Sequence, residues 1–391
     1  MKKIISALLF FVTLFSLQTV SFAGYEGKNE ADVAQRANLD FDFTVGSAYL
    51  IEAKTGKVLY AENEFKTASP ASVTKVMTLL LVCEALSEGK YSLRDEVYVS
   101  AHAASMGGSQ VFLEEGERIT VEELIKSAVI ASGNDASVAL AELTSGSEAT
   151  FVKEMNKRAR ELGLKHTSFE NATGLDDTTT NHFSCAADIA TISRELIKHD
   201  IILKYSSLWQ DSIRDGEFIL TNTNRLVRYY DGCNGLKTGS TDKAGYCVSA
   251  TAKRGNIQLI AVIMGAETRD KRNEAARTLL DFGFANYALY EIPESFIENI
   301  DVTSGVKSTV PISSTEFSVV VEKGRLSDIE KVYEIPEYIC APISENDKIG
   351  KIVYKIDGAQ IGFSDIFVEE SVSKISVRGI FIEIIKRFLF G

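Results

Sequence analysis

The sequence predicts an α+β fold: an antiparallel sheet with a helical insertion, then a small all-β domain and a C-terminal amphipathic helix. Three observations carry this. Strand-like runs at 48–53 and 58–60 near the front are matched by others at 244–252 and 257–264 much later, while residues 93–196 between them read as mostly helical. Strands from both ends of a segment enclosing helices define an α+β layout. From about Ile292 the texture shifts to apolar/polar alternation at 309–321, 331–340 and 348–367, which predicts a second, all-β unit. The last residues change again, to a helical wheel divided into an apolar and a charged arc.

Each element has a local reason. Lys2 and Lys3 precede an apolar run from Ile4 to Val20, and Ser21-Phe22-Ala23 offers small residues at a cleavage site. Residues 1–23 therefore read as a secretory signal peptide, with an uncleaved N-terminal anchor as the alternative. Lys54-Thr-Gly56-Lys57 is a turn joining the first two strands. Pro70 opens a helix, where its missing N–H costs nothing, with Val73, Val76, Met77, Leu80 and Leu81 as its apolar stripe. Further helices are expected at 121–132, 136–144, 148–162 and 272–286, with an Arg254-Gly-Asn256 turn between the last two strands of the first unit. The expected division is 1–23 signal, 24–291 α+β domain, 292–370 β domain and 371–391 amphipathic terminal segment.

In that last segment Ile380, Phe381, Ile382, Ile384, Ile385, Phe388 and Leu389 share one arc, and Glu383, Lys386 and Arg387 take the other. The run is too short and too charged to span a bilayer, so the reading is an interfacial helix. A terminal helix packed on the β domain is the alternative.

Composition excludes several classes. The chain of 391 residues is 45% hydrophobic with only 5 Pro, so it can bury a sizeable core. Removing Lys2 and Lys3 takes the formal charge from −12 to −14. Such an acidic chain is unsuited to nucleic acid, which demands clustered cations. Five scattered cysteines are not a disulfide framework; Cys83 and Cys247 read as small core residues, and no cysteine has a histidine placed to activate it. Four histidines without paired ligand spacing give a zinc peptidase little support, and no metal or cofactor is expected.

Three motifs in order carry the chemistry: Ser72-Val-Thr-Lys75, Ser132-Gly-Asn134 and Lys237-Thr-Gly239. Alone, each is common. Ser-x-x-Lys recurs at Ser87, Ser240, Ser304 and Ser371, and a second Lys-Thr-Gly stands at 54–56. Ser72 and Lys75, three apart on a helix, share a face, which brings an amine to a hydroxyl that needs a base. Lys75 serves as base only with a depressed pKa, which burial and a second cation at Lys237 both favour. Ser132-Gly-Asn134 sits between helices, where a Gly C-cap and an Asn or Asp N-cap make a rigid mount. Lys237 and Thr238 at a strand edge suit a carboxylate, and Gly239 admits a substrate backbone as an added strand.

These motifs resemble the penicillin-recognising serine enzymes, a penicillin-binding/β-lactamase-like fold. The wider strings Pro-Ala-Ser-Val-Thr-Lys (70–75), Ala-Ser-Gly-Asn-Asp-Ala (131–136) and Gly-Leu-Lys-Thr-Gly-Ser-Thr (235–241) are similar to the low-molecular-mass D-alanyl-D-alanine carboxypeptidases. Residues 102–110 and 220–224 look most like sporulation-associated Gram-positive members. The resemblance implies that Ser72 attacks the carbonyl between two D-alanines with Lys75 as base. It further implies that Ser132 relays a proton to the leaving amine and Asn134 orients the substrate amide. Lys237 and Thr238 would bind the terminal carboxylate, supported by Arg272, with the backbone amides of Ser72 and Ser240 as the oxyanion hole. Some relatives carry His where this chain has Ser240. The implied partners are a peptidoglycan stem peptide ending in D-Ala-D-Ala, β-lactams as covalent inhibitors, and a membrane surface. The implied location is outside the cell, at the outer face of the cytoplasmic membrane.

Two rivals share the motifs. A class A β-lactamase would need a deacylating glutamate, and Glu170-Asn-Ala-Thr-Gly174 lacks the Glu-x-x-Leu-Asn pattern. A non-catalytic wall-binding protein would not need the complete Ser/Lys/Ser/Lys set.

Overall fold

Residues Ser47–Glu52 (β1) and Val58–Glu62 (β2) form the expected hairpin, with Gly56 at φ +74° in its turn. The computed structural model describes residues 41–390, so the expected signal peptide lies outside the described residues. Strands Cys233–Thr241 (β3), Gly245–Arg254 (β4) and Ile257–Ala266 (β5) complete a five-stranded sheet of order β2-β1-β5-β4-β3. Every neighbouring pair in it is antiparallel. The Lys237 motif therefore lies inside edge strand β3, where the sequence placed it ahead of the strand.

Between β2 and β3 come helices Lys75–Ser87 (α1), Val121–Val129 (α2), Asn134–Ser145 (α3), Glu148–Glu161 (α4) and Ala186–Leu196 (α5). A Thr120/Glu123 capping box starts α2, satisfying N–H groups that the first turn leaves unpaired. The helical expectation fails at 163–185, which is loop, and where Glu96–Tyr98 pairs with Arg118–Thr120. Asx-type bonding explains part of that loop: Asn171 Oδ1 accepts from the Thr173 and Gly174 amides, competing with helix.

Helix α1 also departs from expectation. No stripe divides it, since Lys75, Met77, Leu79, Leu80, Val82 and Cys83 are all buried while Leu81 is only partly so. It runs through the core, packed against α5, α2 and α3. Each buried aliphatic side chain here contributes roughly 1.5–3 kcal/mol. Helix α1 and α5 cover one face of the sheet; Arg269–Asn286 (α6) covers the other, packing Ala275, Ala276, Leu279 and Leu280 on Val248, Leu259 and Ile263.

The all-β unit begins as α6 ends. Tyr287–Ile292 (β6) pairs with Phe317–Glu322 (β9), slightly ahead of the expected start at Ile292. Ser295–Thr303 (β7), Thr309–Ser314 (β8), Glu330–Glu334 (β10), Tyr338–Cys340 (β11), Lys348–Ile356 (β12) and Ala359–Val368 (β13) form a six-stranded sheet. Its core gathers Val310, Ile312, Tyr354, Ile366 and Val368. Helix Val377–Phe390 (α7) ends the described chain, with Val377, Phe381, Phe388 and Leu389 exposed.

Candidate active site

The three motifs converge. Pro70 leads into a 3-10 turn, Ala71–Thr74, and α1 follows from Lys75; the tight turn, entered through Ala71 at φ +47°, replaces the α-helical start expected at Pro70. The shared face survives the change, because side chains three apart eclipse in a 3-10 turn. Lys75 Nζ lies 3.1 Å from Ser72 Oγ, 2.6 Å from Asn134 Oδ1 and 2.8 Å from the Thr173 carbonyl. Lys75 is fully buried, and its pKa is held well below the ordinary lysine value, first by burial and then by the Lys237 charge. As a neutral amine it has two N–H bonds and one lone pair. The two donors match Asn134 and Thr173, which leaves the lone pair for the Ser72 hydroxyl proton.

Ser132, between α2 and α3, is the residue in the left-handed region, at φ +65°. Gly133 has φ −54° and precedes α3, so the expected glycine C-cap is corrected: the serine itself bends the chain into the site. Ser132 Oγ accepts from Lys237 Nζ at 2.8 Å. Asn134 holds its amide by donating Nδ2–H to the Gly107 carbonyl while Oδ1 receives Lys75.

On β3, Lys237 is buried and its pKa is lowered to about 7, first by burial and then by Arg272. Thr238 Oγ1 donates to Thr223 Oγ1. A Cβ on Gly239 would fall 2.7 Å from Ser72 N and 2.8 Å from Val73 N, so the strand lies against the Ser72 turn and only glycine fits. Ser240 follows, exposed. Arg272 in the first turn of α6 is 3% exposed, and its guanidinium meets Asn273 Oδ1 and the Cys247 carbonyl, with no carboxylate in ion-pair range among the described residues. A buried guanidinium with no anion beside Lys237 makes this end of the cleft receptive to a carboxylate.

Sequence reasoning missed the loop at 163–185. Besides the Thr173 carbonyl, it supplies His182, whose Nδ1 accepts from the Glu170 amide, so that Nε2–H donates to Thr74 Oγ1. Burial lowers the His182 pKa to about 4, which keeps that neutral tautomer. Glu170 is exposed, and its carboxylate accepts from the Thr180 and Asn181 amides, a bracing role within the loop. The fold also brings His166, Cys185 and Asp188 within 4.8 Å of one another, where the sequence placed no histidine near a cysteine. Two of the side chains are used structurally: Cys185 Sγ caps α5, and Asp188 accepts from the His166 backbone amide and the Thr167 hydroxyl, while the His166 ring lies against Phe65. Burial pushes the Cys185 thiol up to about 12, so it stays protonated.

A serine, a buried amine, a second serine tied to a second amine, and a cationic strand edge define a class, the active-site serine acyl-transfer enzymes. The family described as D-alanyl-D-alanine carboxypeptidase matches residues 32–268, and the penicillin-binding protein 5 C-terminal domain matches 284–374. The chain is 42% identical to D-alanyl-D-alanine carboxypeptidase DacF of Bacillus subtilis, covering 99% of this chain and 98% of that one. It is 33% identical to DacC of Escherichia coli, covering 83% of each. Penicillin-binding protein 5 from Haemophilus influenzae superposes with a TM-score of 0.73 at 33% identity, over 85% of this chain and 98% of that one. Ampicillin-bound penicillin-binding protein D2 from Listeria monocytogenes gives 0.58 at 30% identity, over 63% and 100%. The chain belongs to the serine-type D-alanyl-D-alanine carboxypeptidases, the low-molecular-mass penicillin-binding proteins.

Proposed function

We propose that this enzyme removes the terminal D-alanine from peptidoglycan stem pentapeptides through an acyl-enzyme on Ser72. Ser72 Oγ attacks the carbonyl carbon of the penultimate D-alanine as its proton passes to the Lys75 amine. The oxyanion is received by the Ser72 and Ser240 amides. The C–N bond then breaks, and the leaving amine takes a proton relayed through Ser132. Water hydrolyses the ester, returning the Ser72 hydroxyl and a stem peptide one residue shorter. Asn134 orients the peptide amide; Lys237, Thr238 and Arg272 hold the terminal carboxylate, with Gly239 admitting the substrate backbone.

The observation that carries this reading is the triple contact of Lys75 Nζ, which leaves one lone pair facing Ser72. Ser72→Ala is expected to abolish D-alanine release from diacetyl-L-lysyl-D-Ala-D-Ala; persistent release would overturn the nucleophile. β-Lactams are expected to acylate the same serine and to be released slowly, because Glu170-Asn-Ala-Thr-Gly174 lacks the Glu-x-x-Leu-Asn pattern of a deacylating glutamate. Rapid nitrocefin turnover would favour a β-lactamase.

The site works outside the cytoplasm, after export directed by residues 1–23. The catalytic domain runs to the end of α6 and the β domain from Tyr287 to Ile375, because residues 372–375 pair with it and Val372 is buried in its core; helix α7 is the segment that anchors the protein at the outer membrane face. Exposure of Val377, Phe381, Phe388 and Leu389 supports an interfacial helix. Among the described residues no helix is long and apolar enough to cross a membrane. A chain ending at Ser376, which removes α7 and keeps the paired residues 372–375, is expected to lose vesicle binding while keeping activity; unchanged co-sedimentation would sink the anchor. The likeness at 102–110 and 220–224 extends the reading to wall remodelling during spore formation, tested by when the protein accumulates.

A further inference from the structure

The two amides assigned to the oxyanion sit on different elements: Ser72 on the 3-10 turn, Ser240 near the end of β3. An oxyanion hole works only when both N–H groups converge on one oxygen, so their separation must be fixed. Contact at Gly239 sets how closely strand and turn approach but not how they slide past one another. Asp176, nearly buried in the loop between α4 and α5, supplies the missing restraint. Its Oδ2 accepts from Ser69 Oγ at 2.7 Å and from Thr241 Oγ1 at 2.6 Å. Ser69 lies three residues before Ser72, and Thr241 directly follows Ser240. The Thr241 hydroxyl also accepts from the Ala244 amide, which holds it in the turn that ends β3. The segment before Ser69 is tied to the same loop by paired Ala68 and Ser184 backbones.

We propose that Asp176 is a positioning residue that sets the spacing of the Ser72 and Ser240 amides by clasping both elements with one carboxylate oxygen. Short hydroxyl–carboxylate bonds of this kind are stiff and strong. The assignment rests on the site reading given above. Asp176 touches none of the groups assigned to the substrate carboxylate, so its loss should slow tetrahedral addition and leave substrate capture intact.

The test compares Asp176→Asn, Asp176→Ala, Ser69→Ala and Thr241→Val in the full chain, with kcat and KM per penicillin-titrated active site. For Asp176→Asn, kcat and the rate of acylation by benzylpenicillin are expected to fall about tenfold or more, with KM changing less than about twofold. A peptide boronate that forms a tetrahedral adduct should bind about tenfold more weakly. Ser69→Ala and Thr241→Val should each have a smaller effect, and adding either to Asp176→Ala should cost nothing further. A lowered melting temperature with unchanged kcat per active site would overturn the proposal, as would a rise in KM alone. Should Asp176→Ala fail to fold, Thr241→Val and Asp176→Asn decide the matter by the same readouts. Ser72→Ala separates the two levels: turnover in that variant would overturn the site reading itself, whatever Asp176 does.

Discussion

The chain contains Lys-Thr-Gly twice, and the two copies behave as opposites. Lys54 stands at the β1–β2 turn, where Nζ meets Glu291 at 2.5 Å and Glu316 at 3.3 Å. Its pKa is raised, first by the bond to Glu291. Lys237 lies buried inside β3, bonded to a serine and a carbonyl, with its pKa lowered to about 7. One lysine is a surface cation with two carboxylates; the other is poised between amine and ammonium. The tripeptide has no fixed chemistry. Burial and the sign of neighbouring charge decide what it does.

Five measurements sharpen or break that contrast. Lys237→Ala is expected to lower kcat/KM by about three orders of magnitude, the scale of losing a buried charge contact that also orients Ser132. Steady-state kinetics with the diacetyl peptide read this; a loss below about tenfold would put the carboxylate elsewhere. Binding should also move protons. A substrate carboxylate beside Lys237 favours its ammonium form, so at pH 8 the Ser72→Ala variant should take up close to one proton on binding the peptide. Calorimetry in two buffers of different ionisation enthalpy measures it, and zero uptake would mean that Lys237 is already charged.

The His182 loop gives a third. Its pKa is about 4 folded against 6.5 ordinarily, so between those values the unfolded chain holds the extra proton and stability falls as pH falls. The loss from pH 6.5 to 4 should be about 3 kcal/mol and complete near pH 4. Urea titrations of the protein and of His182→Gln should differ in that window; identical pH slopes would contradict the neutral tautomer. The smallest effects belong to the first tripeptide. Gly56→Ala should cost about 1–2 kcal/mol, because φ is +74° there. Lys54→Ala should cost less than about 1 kcal/mol, with kcat within twofold.

The sequence made the strands and most helices legible because their patterns are periodic, and it ordered the three motifs because the strings are distinctive. Where it failed, local pattern was overruled. Helix α1 showed no stripe because it is enclosed on nearly every side. Ser132, not the glycine beside it, took the left-handed turn. The Thr173 carbonyl, His182 and Asp176 were illegible because they lie in a loop whose residues look like ordinary turn formers. Their roles come from the side chains of Lys75, Thr74 and Ser69 that they meet from far along the chain and, for Asp176, from Thr241 as well. The glycines at 174 and 239 were the one usable signal. A Cβ on Gly174 would fall 1.8 Å from the Ala71 carbonyl, so loop and strand press on the Ser72 turn from two directions.

The central claim is that Ser72, served by the Lys75 amine, is the acylated nucleophile. Mass spectrometry of the protein after benzylpenicillin, with peptide mapping over time, tests it most directly. The expected result is a single penicilloyl group on the peptide containing Ser72, released slowly, and absent in Ser72→Ala. An adduct on another serine, no adduct, or release within seconds would contradict it.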